Sequence, residues 1–343
     1  MFRPLLTIAI PTWNRANYLS FNLDQLKKEC LGVDENFIEI LVSDNCSTDT
    51  TASIISTNIE RGLPISYYRN EKNIGWGANF LQCFKKARGK YVLLLGDDDL
   101  IVDGGLVKII NVLNSNILYG SITLNAYGYN KEFMQEMPLF GSKNNKKYEI
   151  FEDYLYATCL NNTSLSSSVI NKDLIYFDET VPESEKNLTH LRYILTASMK
   201  AEINYFFGEF IIAGKRDNSS SYQYTQVFVD ELWNIYNRVL NNDWSKRIIK
   251  RLKRKFLISF YPRNILTIDN YIFESQKEIL GNFDKHFSEI TYYRYFFKKV
   301  LVSPYLIKKS LLIFLTITGK VLSGDSGKIL TVAYIKLRNI VVR

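Results

Sequence analysis

Four short apolar runs in the first hundred residues each end in a polar cluster, and this spacing constrains the fold more than any other feature. The runs are LLTIAI, FIEILV, PISYY and YVLLL, and stretches with helical spacing of apolar residues separate them. Strands that alternate with helices form βαβ units and a mostly parallel sheet, whose ligands bind at the carboxyl ends of the strands. The sequence therefore predicts an α/β domain with a site built from the four clusters: PTWNR, SDNCSTD, RNEKNIGWGAN and GDDD.

The fourth apolar run leads directly into three consecutive acids, Asp97, Asp98 and Asp99. Adjacent carboxylates at the end of a buried strand repel one another, so they cost stability unless a cation or hydrogen-bond donors compensate. The cluster could be a solvated turn that caps the next helix, or a positive group could belong there. Hard divalent cations prefer carboxylate oxygens. From these residues alone, both interpretations stay open.

Beyond about residue 111 the alternation becomes less regular. The pattern predicts a strand pair in ILYGSITLNAYGYN, a helix in EIFEDYLYATCL, a strand and turn in TSLSSSVINKDLI, a helix in NLTHLRYILTASMK and final strands in INYFFGEFIIAGK. Helical patterns follow from QVFVDELWNIYNRVL onward. We therefore expect one domain over residues 1–225, with halves 1–110 and 111–225, and a helical region over 226–343.

Composition and cysteine spacing indicate a globular chain in a reducing compartment. Of 343 residues, 46% are hydrophobic and 23% charged, and the four cysteines form no Cys-x-x-Cys pair. No secretory signal pattern precedes the first apolar run. The stretch SLLIFLTIT is shorter than the roughly 20 residues that a bilayer-spanning helix needs. These features predict a cytoplasmic location.

Charge is distributed unevenly along the chain. Residues 244–343 contain 20 Lys and Arg against 6 Asp and Glu, whereas the preceding residues contain 23 against 29. In Trp244–Phe260, an apolar arc faces a basic one; the apolar residues are Ile248, Ile249, Leu252, Phe256 and Phe260, and the basic residues are Lys246, Lys250, Arg251, Lys253, Arg254 and Lys255. This pattern is typical of a helix at an anionic membrane surface, and equally of a surface helix that packs its apolar stripe on the protein.

Three segments, TIAIPTWNRANYL, EILVSDNCSTDTT and YYRNEKNIGWGANFLQCFKKARGKYVLLLGDDD, resemble the opening of family 2 glycosyltransferases. These are inverting enzymes with the GT-A fold, in which helices flank a central sheet. The resemblance covers residues 5–110 closely and continues weakly to about residue 222. It is strongest to the branch that builds bacterial surface polysaccharides, including abequosyltransferase-like enzymes.

The resemblance implies a divalent metal, Mn²⁺ or Mg²⁺, that stabilises the diphosphate of a nucleotide-sugar donor. The family commonly reads Asp-x-Asp-Asp, and Gly96 here replaces the first acid. Asp99 would then contact the metal and Asp98 the ribose or the metal. Asp97 would lie beside the donor.

The resemblance also assigns the rest of the donor site. Asp44 would accept a hydrogen bond from the nucleotide base, and Trp13 would stack on it. The remaining donor-binding candidates are Pro11, Thr12, Arg15, Arg69, Asn73 and Arg216. Lys215 could close over the diphosphate with Arg216, and Asn218 stands where the family often has histidine. We expect Asn45, Ser47 and Asp49 to be turn and cap residues, with Ser47 or Thr48 capping the second helix.

An inverting transfer needs a base that deprotonates the acceptor hydroxyl. The family usually carries a Glu-Asp pair there, and this chain has Leu188 and Thr189 instead. His190 could serve as the base or as a metal ligand, because its unperturbed pKa near 6.5 suits both roles. Glu185 is the alternative base, and Glu183 is a further nearby acid.

The resemblance and the residues together predict a metal-dependent glycosyltransferase at the inner face of the cytoplasmic membrane. Its acceptor would be a lipid-linked saccharide, and its basic tail would contact anionic lipid. A catalytically inactive GT-A-like scaffold remains an alternative because the Glu-Asp pair is missing. A sugar-phosphate nucleotidyltransferase is a weaker one, since PTWNRANY lacks a glycine-rich phosphate loop. No nucleic-acid recognition motif accompanies the basic tail.

Overall fold

The computed structural model describes residues 3–139, 141, 144–176, 185–216, 223–242, 245–268 and 274–322. The chain divides into two compact units. The first comprises Met1–Met137 and Lys143–Ser219, and the second comprises Pro138–Ser142 and Ser220–Arg343.

The first unit begins with the predicted strands and helices. They are β1 (Leu6–Thr12), α1 (Ala16–Cys30), β2 (Ile38–Asp44), α2 (Thr51–Glu60), β3 (Ile65–Arg69), α3 (Trp76–Lys86) and β4 (Tyr91–Leu94). The four strands run parallel in the order β3-β2-β1-β4. Every residue of β1, β2 and β4 is buried, because helices cover both faces of a parallel sheet.

The remaining elements of this unit extend the sheet. They are β5 (Leu100–Ile101), α4 (Gly105–Leu113), β6 (Tyr119–Tyr129), β7 (Lys146–Tyr148), α5 (Phe151–Thr158), β8 (Ser168–Asn171), α6 (Thr189–Lys200) and β9 (Ile203–Lys215). Strand β8 lies antiparallel between β4 and β6, and β9 runs parallel to β6 and antiparallel to β5 and β7. The predicted α/β class is confirmed, and the mostly parallel character holds for β1–β4. The expected strand pairs in this half are the single long strands β6 and β9.

The core of the first unit has two layers, one on each face of the sheet. Along β1, Leu6, Ile8 and Ile10 pack in the cluster that contains the apolar residues of α1. Ala9 packs on the other face with Phe84 of α3 and with α6 residues. This alternation follows the two-residue period of a strand. Helices fixed on both faces hold the carboxyl ends of β1, β2 and β4 in place.

The second unit is helical in its described part. It contains α7 (Leu232–Val239), α8 (Ser245–Lys255), α9 (Tyr261–Ile268), α10 (Gln276–Phe287), α11 (Lys298–Val302), α12 (Tyr305–Leu322) and π-helical segments at Gln226–Glu231, Phe256–Phe260 and Tyr293–Phe297. Buried aromatic rings form its centre, where the Trp233 indole N–H donates to the Tyr261 hydroxyl at 2.8 Å. That hydroxyl in turn donates to the Phe228 carbonyl at 2.9 Å, so both buried polar groups are satisfied.

The apolar stripe of α8 lies inside the second unit, which corrects the interpretation of this helix as membrane-facing. Ile248, Leu252 and Phe256 are buried. Lys253, predicted on the solvent side, is also buried and donates to Glu289 at 2.5 Å. The alternative of a surface helix that packs on the protein therefore describes α8, while Trp244 lies outside the described residues. Across the described ranges, no helix is both long and apolar enough to span a bilayer.

All four cysteines are free thiols. Cys83 and Cys159 are buried, and Cys30 and Cys46 are partly exposed.

Candidate active site

The three acids after β4 meet the residues that follow β1, because these two strands are neighbours in the sheet. The Thr12 hydroxyl donates to Asp97 at 2.8 Å. The Arg15 guanidinium contacts Asp97 at 2.9 Å and Asp98 at 2.5 Å. Two of the predicted donor-site residues thus contact two of the predicted acids. Arg15 supplies part of the positive charge that the cluster needs.

Asp99 is held by elements on the opposite side of the loop. The Ser166 hydroxyl donates to its Oδ2 at 2.5 Å. Its Oδ1 lies 3.2 Å from the point where a Cβ on Gly214 would stand, so a larger residue at the end of β9 would press on this carboxylate. No sequence pattern distinguished Ser166, which is one of four serines in the run TSLSSSV.

Negative charge accumulates in this cluster beyond what Arg15 compensates. Burial raises the pKa of Asp97 to about 7, against the opposing effect of Arg15. Burial and the neighbouring Asp98 raise the pKa of Asp99 to about 7. Burial and mutual repulsion thus disfavour the charged forms of Asp97 and Asp99, and a cation bound beside them would stabilise those charged forms.

The donor set fits a metal that binds together with a diphosphate. Asp98 Oδ1 and Asp99 Oδ2 lie 3.1 and 3.2 Å from the point where a Cβ on Gly96 would stand, so two carboxylate oxygens converge there. Among the described residues, no group of three or more His, Cys, Asp or Glu side chains could hold a metal ion alone. Mg²⁺-type sites usually use one or two carboxylates and complete their coordination with substrate phosphates and water.

His190 does not join these acids, which corrects the predicted ligand trio to a carboxylate pair. The imidazole is 2% exposed on the inner side of α6. Burial lowers its pKa to about 4, and the backbone of Asn162 only partly offsets this effect. His190 is therefore a neutral core side chain near neutral pH.

A polar face of α1 holds the backbone of the acid-bearing loop. Asn22 donates to the Asp99 carbonyl at 2.6 Å, and Gln25 donates to the Ile101 carbonyl at 3.0 Å. One turn further, Glu29 accepts from two backbone N–H groups at the start of α4, at 2.9 and 3.0 Å. All three side chains are buried. Sequence analysis missed them because they look like ordinary polar positions of a helix.

Asp44 lies at the end of β2, and its side chain is fully buried. Its carboxylate accepts from the Ser47 N–H at 2.8 Å and from the Tyr67 hydroxyl at 2.9 Å. Arg69 Nε lies 3.6 Å away, and Arg69 also donates to the Ser47 carbonyl at 2.7 Å. Trp13, which follows β1, is 49% exposed.

The loops after β1 and β2 are joined by side chains in the expected turn and cap roles. Asn14 has a left-handed backbone, with φ of 52°. Its side-chain oxygen Oδ1 accepts a hydrogen bond from the Thr48 N–H at 2.7 Å. Asp49 accepts from the N–H groups of Ala16 and Thr51, both at 3.0 Å, and thereby caps α1 and α2 together. The prediction that Ser47 or Thr48 caps the second helix is therefore wrong.

Asn73 stabilises its own turn. Its side-chain oxygen accepts from the Asn45 amide and from the Gly75 N–H, both at 2.8 Å. The buried Asn45 also accepts from the Ile74 N–H at 2.9 Å. This network fixes the loop between β3 and α3.

The segment before α6 packs closely on the start of α3. A Cβ on Gly77 would lie 2.7 Å from the Lys186 carbonyl oxygen, so only glycine fits this contact. Glu185 is 1% exposed and lies 3.5 Å from Arg192 Nε. Glu183 lies outside the described residues.

Arg216 follows β9 and lies across β6. Its Nε is 2.7 Å from the point where a Cβ on Gly128 would stand. The Lys215 ammonium donates to the Asn130 carbonyl and lies 4.9 Å from the Tyr129 ring centre. Asn218 lies outside the described residues.

This sheet, with carboxylates at the carboxyl end of β4, defines an α/β domain of the class that binds nucleotides at strand ends. The model of the family described as glycosyl transferase family 2 matches residues 7–166. This part of the chain is therefore a family 2 glycosyltransferase domain, as its motifs predicted.

Two relatives illustrate the sequence similarity. Abequosyltransferase RfbV of Salmonella typhimurium is 36% identical over 113 residues, 32% of this chain and 33% of the relative. The GalNAc(5)-diNAcBac-PP-undecaprenol beta-1,3-glucosyltransferase of Campylobacter jejuni is 28% identical over 134 residues, 38% of this chain and 42% of the relative. The chain thus spans a third to less than half of the length of these relatives.

Solved structures share the fold. TarS 1-349 of Staphylococcus aureus in complex with UDP aligns over 92% of this chain and 80% of its own, with a TM-score of 0.57 at 17% identity. The mannosyltransferase PcManGT of Pyrobaculum calidifontis, in complex with GDP-Man and Mn²⁺, aligns over 94% and 88%, with a TM-score of 0.51 at 13% identity. The predicted GT-A fold is confirmed.

Proposed function

We propose that the chain is a metal-dependent inverting glycosyltransferase that moves a sugar from a nucleotide diphosphate to an acceptor hydroxyl. The observation that carries this proposal is the cluster Asp97–Asp99 at the carboxyl end of β4, inside the family 2 domain. Asp97 and Asp99 have raised pKa values, and one oxygen each of Asp98 and Asp99 converges beside Gly96. A cluster of this kind suits a cation that arrives with a diphosphate.

In this proposal Asp98 and Asp99 hold Mn²⁺ or Mg²⁺ against the diphosphate. When bound, the metal supplies charge that stabilises the leaving diphosphate. Thr12 and Arg15 fix Asp97 and Asp98 from the end of β1. Pre-oriented groups of this kind spare the enzyme reorganisation during the reaction.

The nucleotide would lie over the ends of β1 and β2. The exposed ring of Trp13 would stack on the base, beside the backbone of Pro11. Asp44 already accepts from Ser47 and Tyr67, so it would contact the base through its remaining lone pairs or hold the loop that does.

The diphosphate would lie near cationic and amide side chains. Arg69 is 48% exposed and could turn towards it from the end of β3. Arg216 would approach from the end of β9, and Asn73 would contribute through the turn that it holds. Positive groups directed at the leaving diphosphate lower the barrier to its departure.

We assign the base to Glu185 rather than to His190. His190 lies among core residues on the inner side of α6, and burial lowers the pKa of its imidazole to about 4. Glu185 lies close to Arg192 at the segment that contacts α3. In the transfer, the acceptor oxygen bonds to the anomeric carbon as the bond to the diphosphate breaks. Glu185 takes the hydroxyl proton.

The proposed acceptor is a lipid-linked saccharide of surface-polysaccharide synthesis, used at the inner face of the cytoplasmic membrane. The name of the Campylobacter relative describes transfer to an undecaprenol-linked glycan. A basic second unit suits the same location, since anionic lipid attracts Lys and Arg.

The test compares Asp99→Ala with Asp173→Ala, an exposed acid that pairs with Arg3 elsewhere. Thermal shifts with Mn²⁺ and a panel of nucleotide sugars identify the donor, and turnover is measured with that donor. We expect Asp99→Ala to abolish turnover and the Mn²⁺-dependent shift, while Asp173→Ala retains both. Equal turnover in both variants would refute the metal assignment. Donor binding without turnover in the parent chain would favour the inactive scaffold.

A Glu185→Gln and His190→Gln pair separates the base from the core residue. We expect Glu185→Gln to lower kcat at least about a hundredfold while donor affinity is kept, because general-base catalysis contributes roughly that factor. His190→Gln should lower stability rather than kcat per folded molecule. The reverse pattern would assign the base to His190.

A further inference from the structure

One face of α12 presents large apolar side chains to solvent. We call it the outer face, and its members are 46–76% exposed: Leu306, Ile307, Phe314 and Ile317. On a helix with 100° per residue these four positions fall on one arc. Leu312 and Leu315, on the other side, are buried. The helix is therefore anchored by one apolar stripe and carries a second that the described protein leaves uncovered.

The chain just before α12 and the first residue of α12 add exposed apolar and aromatic side chains. Tyr295, Phe296, Val302 and Tyr305 are 37–64% exposed. Contiguous apolar side chains on a surface mark a binding site for a protein or a membrane. Tyrosine is also a residue that favours the boundary between lipid and water.

Charge decides between these two partners. Residues 290–322 contain six Lys and Arg and no Asp or Glu. The exposed Arg294 lies 5.3 Å from the Tyr295 ring centre, and Lys309 lies 5.8 Å from that of Tyr305. Basic side chains next to exposed aromatic rings match a surface of anionic headgroups over acyl chains.

We propose that the outer face of α12 inserts into the interface of an anionic bilayer, with the helix lying in the membrane plane. The uncovered stripe enters the acyl boundary, and the exposed Arg294, Lys299 and Lys309 contact the headgroups. This assignment moves membrane contact from the apolar stripe of α8, which is buried, to α12. The exposed basic residues of α8 add only long-range attraction.

The inference rests on the proposed function in one respect: an enzyme with a lipid-linked acceptor works at a membrane. Its physical test does not depend on that function, because vesicle binding needs no donor or acceptor. The full chain is mixed with vesicles of phosphatidylglycerol and phosphatidylcholine, or of phosphatidylcholine alone, and bound protein is measured by flotation. We expect binding to the anionic vesicles that weakens with salt.

The decisive variant replaces Leu306, Phe314 and Ile317 by Ser. Its control replaces three residues of the same types in the first unit by Ser. They are Leu31, Phe21 and Ile59, which are 86, 53 and 42% exposed, respectively. We expect the α12 variant to bind anionic vesicles at least about tenfold more weakly, because burial of each large apolar side chain is favourable. The control should bind like the parent.

A single substitution, Phe314→Trp, reports insertion without removing apolar area. Its added fluorescence should be quenched by brominated acyl chains, whereas that of Leu31→Trp should not. Equal vesicle binding by the two triple variants, or no quenching at residue 314, would overturn the proposal. If the α12 triple variant sediments differently from the parent but binds vesicles equally well, the outer face contacts a second copy of the chain instead. Turnover with a water-soluble acceptor tests the catalytic proposal separately.

Discussion

The Ser166 hydroxyl donates a 2.5 Å hydrogen bond to the Asp99 carboxylate and accepts one of 2.8 Å from the Gly96 N–H. One buried side chain thus connects the beginning and the end of the acid-bearing loop. The bond fixes the direction of the carboxylate that we assign to the metal. Ser166 is therefore a positioning residue for the proposed metal site.

Substitution of Ser166 tests this role against a neighbour of the same type. Ser166→Ala should weaken Mn²⁺ binding about tenfold, since a hydrogen bond to a charged group contributes roughly 1.5–3 kcal/mol. Ser167 is also buried, but its hydroxyl bonds to the backbone carbonyls of Asn161 and Ser164. Ser167→Ala should lower the melting temperature and leave Mn²⁺ affinity unchanged in a calorimetric titration. Equal losses of Mn²⁺ affinity in the two variants would show that both serines act only by stabilising the turn.

Substitution of Arg15 should have the opposite effect on metal binding to substitution of Ser166. It pairs with Asp97 and Asp98, so Arg15→Gln leaves buried carboxylates without a counter-charge. The metal-free variant should lose roughly 3 kcal/mol of unfolding free energy, the usual cost of removing one partner of a buried pair. Mn²⁺ should then stabilise the variant more than it stabilises the parent, because the cation meets less competing positive charge.

The control is Arg3→Gln, which breaks an exposed pair with Asp173. Exposed pairs contribute about 0–1 kcal/mol, so its melting temperature and Mn²⁺ response should stay near those of the parent. An Mn²⁺-induced shift in Arg15→Gln no larger than that of the parent would contradict the compensating role.

The strands β1–β4 and the polar loops at their ends could be predicted from the sequence. Buried parallel strands are mostly apolar, so the runs and their ends are visible in it. The order β3-β2-β1-β4, which places Thr12 and Arg15 beside the acids, was not predicted, because strands that are neighbours in the sheet can be far apart in the chain. The buried polar face of α1 could not be predicted, since Asn22, Gln25 and Glu29 bond to a loop more than seventy residues away.

Two errors have physical causes that local pattern does not reveal. The segment ILYGSITLNAYGYN was predicted to be a strand pair, but it forms the single strand β6, which contains Gly120 and Gly128. The two glycines provide space for other residues. A Cβ on Gly120 would lie 2.4 Å from the Ala197 carbonyl oxygen, and a Cβ on Gly128 would lie 2.7 Å from Arg216 Nε. The apolar stripe of α8 fits a membrane and a core equally well, and only the aromatic cluster around Trp233 decides between them.

Substitution of Gly77 by Ala should lower activity more than it lowers stability. Gly77→Ala places a methyl group 2.7 Å from the Lys186 carbonyl, so the segment that carries Glu185 must move. We expect kcat to fall at least about tenfold, because displacements of about 1 Å in catalytic groups can cost a hundredfold. Gly281 also lies in a helix, and nothing lies within 4 Å of its Cβ position. Gly281→Ala should add about 0.5–1 kcal/mol of stability and leave kcat unchanged. Unchanged kcat in Gly77→Ala would place Glu185 outside the reaction.

His190 predicts a dependence of stability on acid pH. Its pKa is about 4 in the folded protein and about 6.5 in an unfolded chain, so the unfolded state binds more protons between these values. The contribution of neutral His190 is complete above about pH 6.5 and is lost as the pH falls towards 4, by roughly 3 kcal/mol. His190→Gln should lower stability near pH 7 but flatten this part of the profile. Urea unfolding at several pH values between about 4 and 7 measures both slopes. Parallel profiles for parent and variant would show that His190 gains a proton without unfolding the core.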